Sequence, residues 1–120
     1  MASTEVKNFD SPEETRPFEG NGQVDAVTLA GKTVGRGTFE PGWKWSNNVK
    51  PIAGTDSCEV AHVGYCLSGR MVIHMDDGSD SEISAGTAFA IPPGHDAEVV
   101  GDEACVMVDF GEIGDYAKRT

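Results

Sequence analysis

The sequence predicts one all-β domain, a barrel or sandwich of short strands. From residue 24 onward, short runs of β-forming residues alternate with turn signals that contain glycine, proline or aspartate. No segment past residue 20 keeps its apolar positions at helical spacing for three turns. A length of 120 residues is enough for one domain. The predicted strands cover residues 24–29, 33–40, 59–67, 71–75, 87–91, 98–100 and 105–110.

The composition restricts which partners the protein is expected to bind and where in the cell it is expected to be. Twenty acidic residues against nine basic ones give a net charge of −11, which disfavours binding to nucleic acid or to anionic membranes. Solubility or a salt-adapted proteome would explain the same charge. No apolar run is long enough to span a membrane, and the first ten residues lack the pattern of a secretion signal. We therefore expect a cytoplasmic protein whose three cysteines are not joined in a disulfide framework.

We divide the chain into an N-terminal arm at 1–20, a barrel at 21–112 and a C-terminal tail at 113–120. Within the arm, Ser11 is a candidate helix cap, Pro12 would be the first helical residue, and a capping box with a glutamate follows. A second proline, at position 17, would end the helix after about one turn. The residues expected to anchor the arm are Phe9 and Phe18.

Alternation along two predicted strands separates an inner from an outer face. Neighbours on a strand point to opposite sides, so Met71, Ile73 and Met75 share the core face. His74 then points outward as a surface histidine. On the strand at 59–67, the even-numbered positions share a face, and this face includes His62.

Two segments resemble the motif regions of the cupin family. Residues 64–70, with the sequence GYCLSGR, are similar to the end of the first cupin motif. Residues 86–95, with the sequence GTAFAIPPGH, are similar to the opening of the second. A short Asp-Asp-Gly hairpin separates them. The resemblance implies a cupin-type jelly-roll β-barrel of two sheets, with a pocket at one end.

The sequence departs from this family at the positions that hold the metal. Metal-dependent cupins use an HxH pair, a glutamate and one further histidine. Aligning the motifs places His62 where the glutamate belongs and Ala97 where the last histidine belongs. The HxH pair falls at positions 56 and 58 or at 48 and 50, and neither alignment supplies an imidazole there. The resemblance therefore predicts no metal at the usual positions.

A replacement metal site would use Cys58, His62 and His95, since thiolate and imidazole suit zinc, iron, nickel or manganese. The spacing weighs against it. If residues 58–66 form one extended strand, Cys58 and His62 lie about 13 Å apart, at ~3.3 Å per residue. Two ligands of one ion must be much closer, and residues 59–61 carry no turn signal.

The leading functional hypothesis is a cupin that binds a small organic molecule, either as a sensor or as a metal-independent acid–base enzyme. His62 and His95 would be its catalytic groups, because imidazole titrates near neutral pH. The alternative for His62 is a hydrogen-bonded core histidine. Asp96 is a candidate to orient His95. The expected ligand-binding residues are Trp43, Trp45, Cys66, Met71 and, for an anionic group, Arg36.

Two alternatives from other classes remain open. One is a metal-dependent, dioxygenase-like enzyme that uses the atypical Cys58, His62 and His95 site. The other is a structural homodimer without a ligand, in which the arm crosses onto a neighbouring barrel. A homodimer is compatible with all three hypotheses.

Overall fold

The computed structural model describes residues 3–118 and contains nine strands and two short helices in that range. All strand pairs are antiparallel. Residues 1–2 and 119–120, at the ends of the predicted arm and tail, lie outside the described range. The elements in chain order are β1 (Glu14–Pro17), β2 (Gly22–Leu29), β3 (Lys32–Phe39), α1 (Trp45–Asn48), α2 (Lys50–Ala53), β4 (His62–Ser68), β5 (Arg70–Met75), β6 (Asp80–Ser84), β7 (Ala88–Ile91), β8 (His95–Val99) and β9 (Cys105–Asp109).

The strands form two sheets that enclose the core. The larger sheet has six strands in the order β1-β2-β3-β9-β4-β7, and the smaller has three in the order β6-β5-β8. Both sheets contribute apolar side chains to one buried cluster, from Val24 and Met107 on the larger sheet to Ile73 and Val99 on the smaller. The predicted all-β jelly-roll architecture is confirmed. The predicted core face of β5 is also confirmed at Met71 and Ile73, each 3% exposed.

The predicted helical turn in the arm is wrong. Residues 14–17 form strand β1, which pairs with β2 in a register that places Glu14 opposite Ala26 and Pro17 opposite Gln23. Pairing with a neighbouring strand outweighs the local capping pattern, and a proline is tolerated because β1 lies at the sheet edge. All seven predicted strands are present with shifted ends. The largest shifts are three residues, at the starts of the strands predicted at 59–67 and 98–100, which begin at His62 and His95.

Besides β1, three further elements were not predicted. Strand β6 (Asp80–Ser84) was missed because only Ile83 on it is buried, so it carries no apolar alternation. Helices α1 and α2 are single turns, too short to show a helical period. Trp45 is the first residue of α1, and Trp43 lies two residues before it. Both side chains are buried, at 2% and 1% exposed.

The C-terminal segment packs into the barrel. Ile113, Tyr116 and Ala117 are each at most 7% exposed and belong to the core cluster. Arg16 of β1 holds the segment by donating hydrogen bonds to the carbonyl oxygens of Ile113, Gly114 and Tyr116 at 2.7–2.9 Å. Between residues 3 and 118 there is no helix with the length and hydropathy needed to cross a membrane.

Candidate functional site

Three side chains from different parts of the chain meet at one end of the barrel. The donor atoms of Cys58, His62 and His95 all lie within 4.8 Å of one another, and all three residues are buried. His62 is the first residue of β4 in the larger sheet, and His95 is the first residue of β8 in the smaller sheet. The site therefore forms where the two sheets converge.

The expected separation of Cys58 and His62 is wrong. Their side chains are in contact, with Cys58 Sγ 3.6 Å from His62 Nε2. The backbone of Cys58 pairs with β8 of the smaller sheet, whereas His62 belongs to the larger sheet. The Cys58 N–H donates to the His95 carbonyl at 2.7 Å. The strand that carries His62 begins only at that residue, so residues 59–61 cross from one sheet to the other. That crossing bends the chain without glycine or proline.

Hydrogen bonds fix the orientation of both imidazole rings. His62 Nδ1 lies 2.5 Å from Asp109 Oδ2, and His95 Nδ1 lies 2.9 Å from the Pro92 carbonyl oxygen. A carbonyl or carboxylate oxygen accepts from the ring N–H, so Nδ1 is the donor in each ring and Nε2 keeps its lone pair when the ring is neutral. This is the arrangement in which protein histidines ligate metals through the other nitrogen. The two rings are 5.5 Å apart, centre to centre.

The surroundings of the site shift the pKa values of Cys58 and His62. Burial raises the pKa of Cys58, but hydrogen bonds from His62 and His95 outweigh it and lower the value to about 7. Burial lowers the pKa of His62, but its hydrogen bonds with Asp109 and Cys58 outweigh burial and raise the value to about 9. These directions favour a thiolate–imidazolium pair of Cys58 and His62 between about pH 7 and about pH 9.

The histidines face a small internal cavity of about 40 Å³. On the same measure one water needs ~10–15 Å³, so the space suits about three water-sized groups. Among the residues predicted to bind a ligand, Trp43, Trp45 and Met71 line it. Its wall also includes Asp109 and Tyr116 and is otherwise mostly apolar.

Two predicted ligand-binding residues lie elsewhere. Cys66 is not in the cavity wall, because its side chain packs in the core with Sγ 3.9 Å from Cys105 Sγ. Arg36 is occupied by ion pairs with Asp10 at 2.8 Å and Asp25 at 3.0 Å. Its guanidinium fixes the arm to the outside of the larger sheet and is not brought to the cavity.

Two other polar residues can be compared with their predicted roles. Asp96 does not orient His95; its carboxylate accepts from the backbone N–H groups of Ser46 and Ala97. His74 points outward as predicted and hydrogen-bonds Asp80 on the neighbouring strand.

Sequence reasoning missed Asp109 and Tyr116. The sequence does indicate Asp109. Alternation along β9 places it on the same inward face as Cys105 and Met107, where a carboxylate is unusual. Tyr116 had none, since it lies in a segment without regular structure. Its ring contacts His62 edge-on, with centroids 5.0 Å apart and planes at 88°. Burial and the nearby Cys58 and Asp109 raise the pKa of Tyr116.

Comparison with known proteins identifies the fold. No family model and no curated protein matches the chain. Among solved structures, an uncharacterised protein with a double-stranded β-helix domain from Klebsiella pneumoniae is 20% identical, with a TM-score of 0.63 over 97% of this chain and 93% of that one. KdgF from Halomonas sp. is 18% identical, with a TM-score of 0.60 over 90% and 91% of the two chains.

A third similar structure is an oxalate decarboxylase, OxdC, from Bacillus subtilis. It is 16% identical with a TM-score of 0.59, over 92% of this chain but only 31% of that one. At these identities the similarity concerns the fold and not the activity. The chain therefore has the double-stranded β-helix fold of the cupin type.

Proposed function

We propose that this chain is a metal-dependent cupin that binds a small molecule at a site formed by Cys58, His62 and His95. The observation that carries the proposal is the convergence of one thiol and two imidazoles within 4.8 Å, with both imidazoles fixed through Nδ1. Zinc suits this mixture of sulfur and nitrogen best, and iron, nickel and manganese are the other candidates.

The residues present fit such an ion. Thiolate is the form of cysteine that ligates metals, and the pKa of Cys58 is already lowered to about 7. Asp109 fixes the His62 ring and supports its basicity, as carboxylates beside ligating histidines do. Three protein ligands leave a further coordination position free, which is typical of catalytic and not of structural zinc sites.

The cavity beside the trio would receive the small molecule. Its walls are largely apolar, with Trp43, Met71 and Ile91 among them. A divalent metal held by Cys58, His62 and His95 would supply Lewis acidity toward a carbonyl oxygen or a coordinated water. His62 and His95 would then act as ligands and not as free acid–base groups.

A second candidate function is metal-independent, and one observation favours it. Cys58, His62 and Asp109 are connected in the order nucleophile, base and carboxylate, at 3.6 Å and 2.5 Å. Thiol nucleophiles are activated by such a chain. In this case an organic substrate would bind in the larger groove that Cys58 lines, and Cys58 would act on it directly.

Metal content distinguishes the two candidates. We would purify the protein without a histidine tag and measure zinc, iron, nickel and manganese per chain in wild type, Cys58→Ala, His62→Ala and His95→Ala. Two matched controls are His74→Ala, a histidine on the outer surface, and Cys66→Ala, a buried cysteine outside the trio. The proposal predicts close to one metal ion per chain in wild type and controls, and loss in the three site variants.

Metal-free wild type that also takes up no added zinc or iron would exclude the metal-dependent function. Reaction of Cys58 with iodoacetamide would then test the second candidate. Cys66 and Cys105 are internal comparisons, because all three thiols are at most 1% exposed, but Cys58 contacts an imidazole whereas Cys66 and Cys105 contact each other. Selective alkylation of Cys58 that is slowed by Asp109→Asn supports an activated thiol.

A further inference from the structure

Tyr116 separates two spaces of different size. On one side is the internal cavity of about 40 Å³ beside His62 and His95. On the other is an outer groove of about 580 Å³, which reaches Cys58 and is lined by Val49, Ile52 and Val60 among others. Tyr116 and Trp45 line both spaces, so these two residues lie between the cavity and the groove and form the partition.

The two halves of this partition are held differently. Trp45 belongs to α1, whereas Tyr116 lies in a segment that has no strand partner. Arg16, itself 5% exposed, holds that segment through three backbone carbonyls. The side chain of Ile113 also fixes the segment, because it packs directly against Gly35. A Cβ added at Gly35 would lie 2.6 Å from Ile113 Cδ1. The C-terminal segment is therefore held against the barrel by hydrogen bonds and by close packing.

We propose that Tyr116 is the specificity-determining residue of the site, and that it limits the ligand to compact molecules of a few heavy atoms. This inference rests on the proposed metal-dependent function. The cavity inside the partition holds about three water-sized groups. A ring-bearing molecule in the outer groove meets the Tyr116 side chain before it reaches the histidines.

The test uses cobalt as a visible substitute for the metal and two anions of equal charge but different size. Azide has three atoms in a row, whereas benzoate carries an aromatic ring. Each is titrated into the cobalt-loaded protein while the visible absorption of the ion is recorded. The variants are Tyr116→Ala, Tyr116→Leu and Tyr116→Phe, with Ile52→Ala as the matched control in the groove wall away from the partition.

Wild type, Tyr116→Phe and Ile52→Ala should respond to azide and not to benzoate. Tyr116→Ala should respond to both, with benzoate affinity at least about tenfold higher than in wild type, a change that is easily resolved. Tyr116→Leu should fall between, and it replaces the alanine variant if that variant does not fold. A wild type that binds benzoate as readily as azide, or folded variants that exclude benzoate like wild type, would overturn the inference.

Failure of this inference is distinguishable from failure of the proposed function. A wild type that binds no cobalt removes the metal-dependent function and this inference with it. A wild type that binds cobalt and azide, with no effect of Tyr116 on size selection, removes this inference alone.

A different observation carries a second inference, about an interaction surface. Of the five large hydrophobic side chains exposed between residues 3 and 118, four lie together, on or next to the outer face of the larger sheet. Three alternate along β4, and the fourth directly follows β9 and donates its backbone N–H to the carbonyl of Val63. We call this the outer patch; its members are Val63, Tyr65, Leu67 and Phe110, at 43–53% exposed.

We infer that the outer patch binds a second copy of this chain. Its neighbours on the same face are Ala88 and Val108, both paired with Tyr65, so the patch contains no carboxylate in a chain of net charge −11. Two copies can therefore meet here without opposing the like charges carried elsewhere. On the β3 side of the larger sheet, the arm lies against the outer face and is held there by the Arg36–Asp10 ion pair. Two identical flat apolar faces suit a two-fold interface.

Sedimentation analysis tests the surface. Wild type should be a dimer, and Val63→Glu or Leu67→Glu should convert it to a monomer with unchanged circular dichroism. Val6→Glu is the matched control, because Val6 is 87% exposed and lies outside the patch, and it should remain dimeric. A monomeric wild type, or a dimer that persists in both patch variants, would contradict the inference.

Discussion

The Nδ1 atom of His62 lies 2.5 Å from Oδ2 of Asp109, and this contact turns the other ring nitrogen toward Cys58. Asp109 ends β9, and its partner begins β4, the adjacent strand. The carboxylate thus sets both the tautomer and the direction of the imidazole. Whether His62 ligates a metal or serves as a base, it depends on this neighbour.

Replacing Asp109 by Asn should therefore weaken metal binding. An amide cannot stabilise the ring as a carboxylate does, and loss of such a partner typically reduces metal affinity on the order of 10–100-fold. Competition with a coloured chelator measures the change. Asp96→Asn is the matched control, since Asp96 binds two backbone N–H groups and no histidine, and it should leave the affinity unchanged. Equal losses in both variants would contradict the role of Asp109.

The affinity for metal should rise with pH until about 9. Metal binding requires a neutral imidazole and a thiolate, so bound protons compete with the ion. Between about 7 and about 9, Cys58 is already ionised while His62 keeps its proton, so one proton is released per ion. Below about 7 both groups release a proton and the slope steepens. Titration at several pH values tests this; a plateau that begins near pH 7 would contradict the raised pKa of His62.

Removal of the metal should lower the stability of the fold. A ligand that binds only the folded state stabilises it by about 2.7 kcal/mol when its concentration is 100 times the dissociation constant. Thermal unfolding with and without a chelator measures the difference. Cys58→Ala should unfold at the same temperature under both conditions, whereas His74→Ala should respond to the chelator like wild type. A chelator effect that persists in Cys58→Ala would place the metal elsewhere.

The close contact of β4 with β9 should make Gly64 intolerant of a side chain. A Cβ at Gly64 would overlap the Val108 carbonyl oxygen and press on the Phe89 ring. We expect Gly64→Ala to destabilise the protein by about 3 kcal/mol, because the strands that carry His62 and Asp109 must separate. Gly114→Ala is the control, as a Cβ there meets nothing within 4 Å. Urea unfolding that gives equal stabilities for the two variants would contradict this packing.

The strand pattern was predictable because it depends on neighbours along the chain. The alternation in β5 assigns Met71 and Ile73 to the core and His74 to the surface, and both assignments are confirmed. The same rule groups His62 with Cys66 on one face of β4, and this face is the buried one in the structure. The same approach gave the wrong structure for the arm. The pairing of residues 14–17 with β2 is a tertiary contact, which no local pattern reveals.

The candidate site was only partly predictable for the same reason. The proximity of Cys58 to His62 depends on residues 59–61 crossing between sheets, which follows from the pairing of Cys58 with His95. Tyr116 reaches the site from a segment whose position depends on Arg16, about a hundred residues earlier in the chain. Such contacts between distant residues follow from the packed fold and not from motif spacing.

Ligation of a metal ion by the Cys58 thiolate is the central claim, and the absorption of the cobalt-loaded protein tests it most directly. A thiolate bound to cobalt gives a charge-transfer band in the near ultraviolet, which imidazole ligands alone do not produce. Wild type and Cys66→Ser should show the band at one cobalt per chain, and Cys58→Ser should lack it. A band that survives in Cys58→Ser, or its absence from cobalt-loaded wild type, would contradict the proposed site.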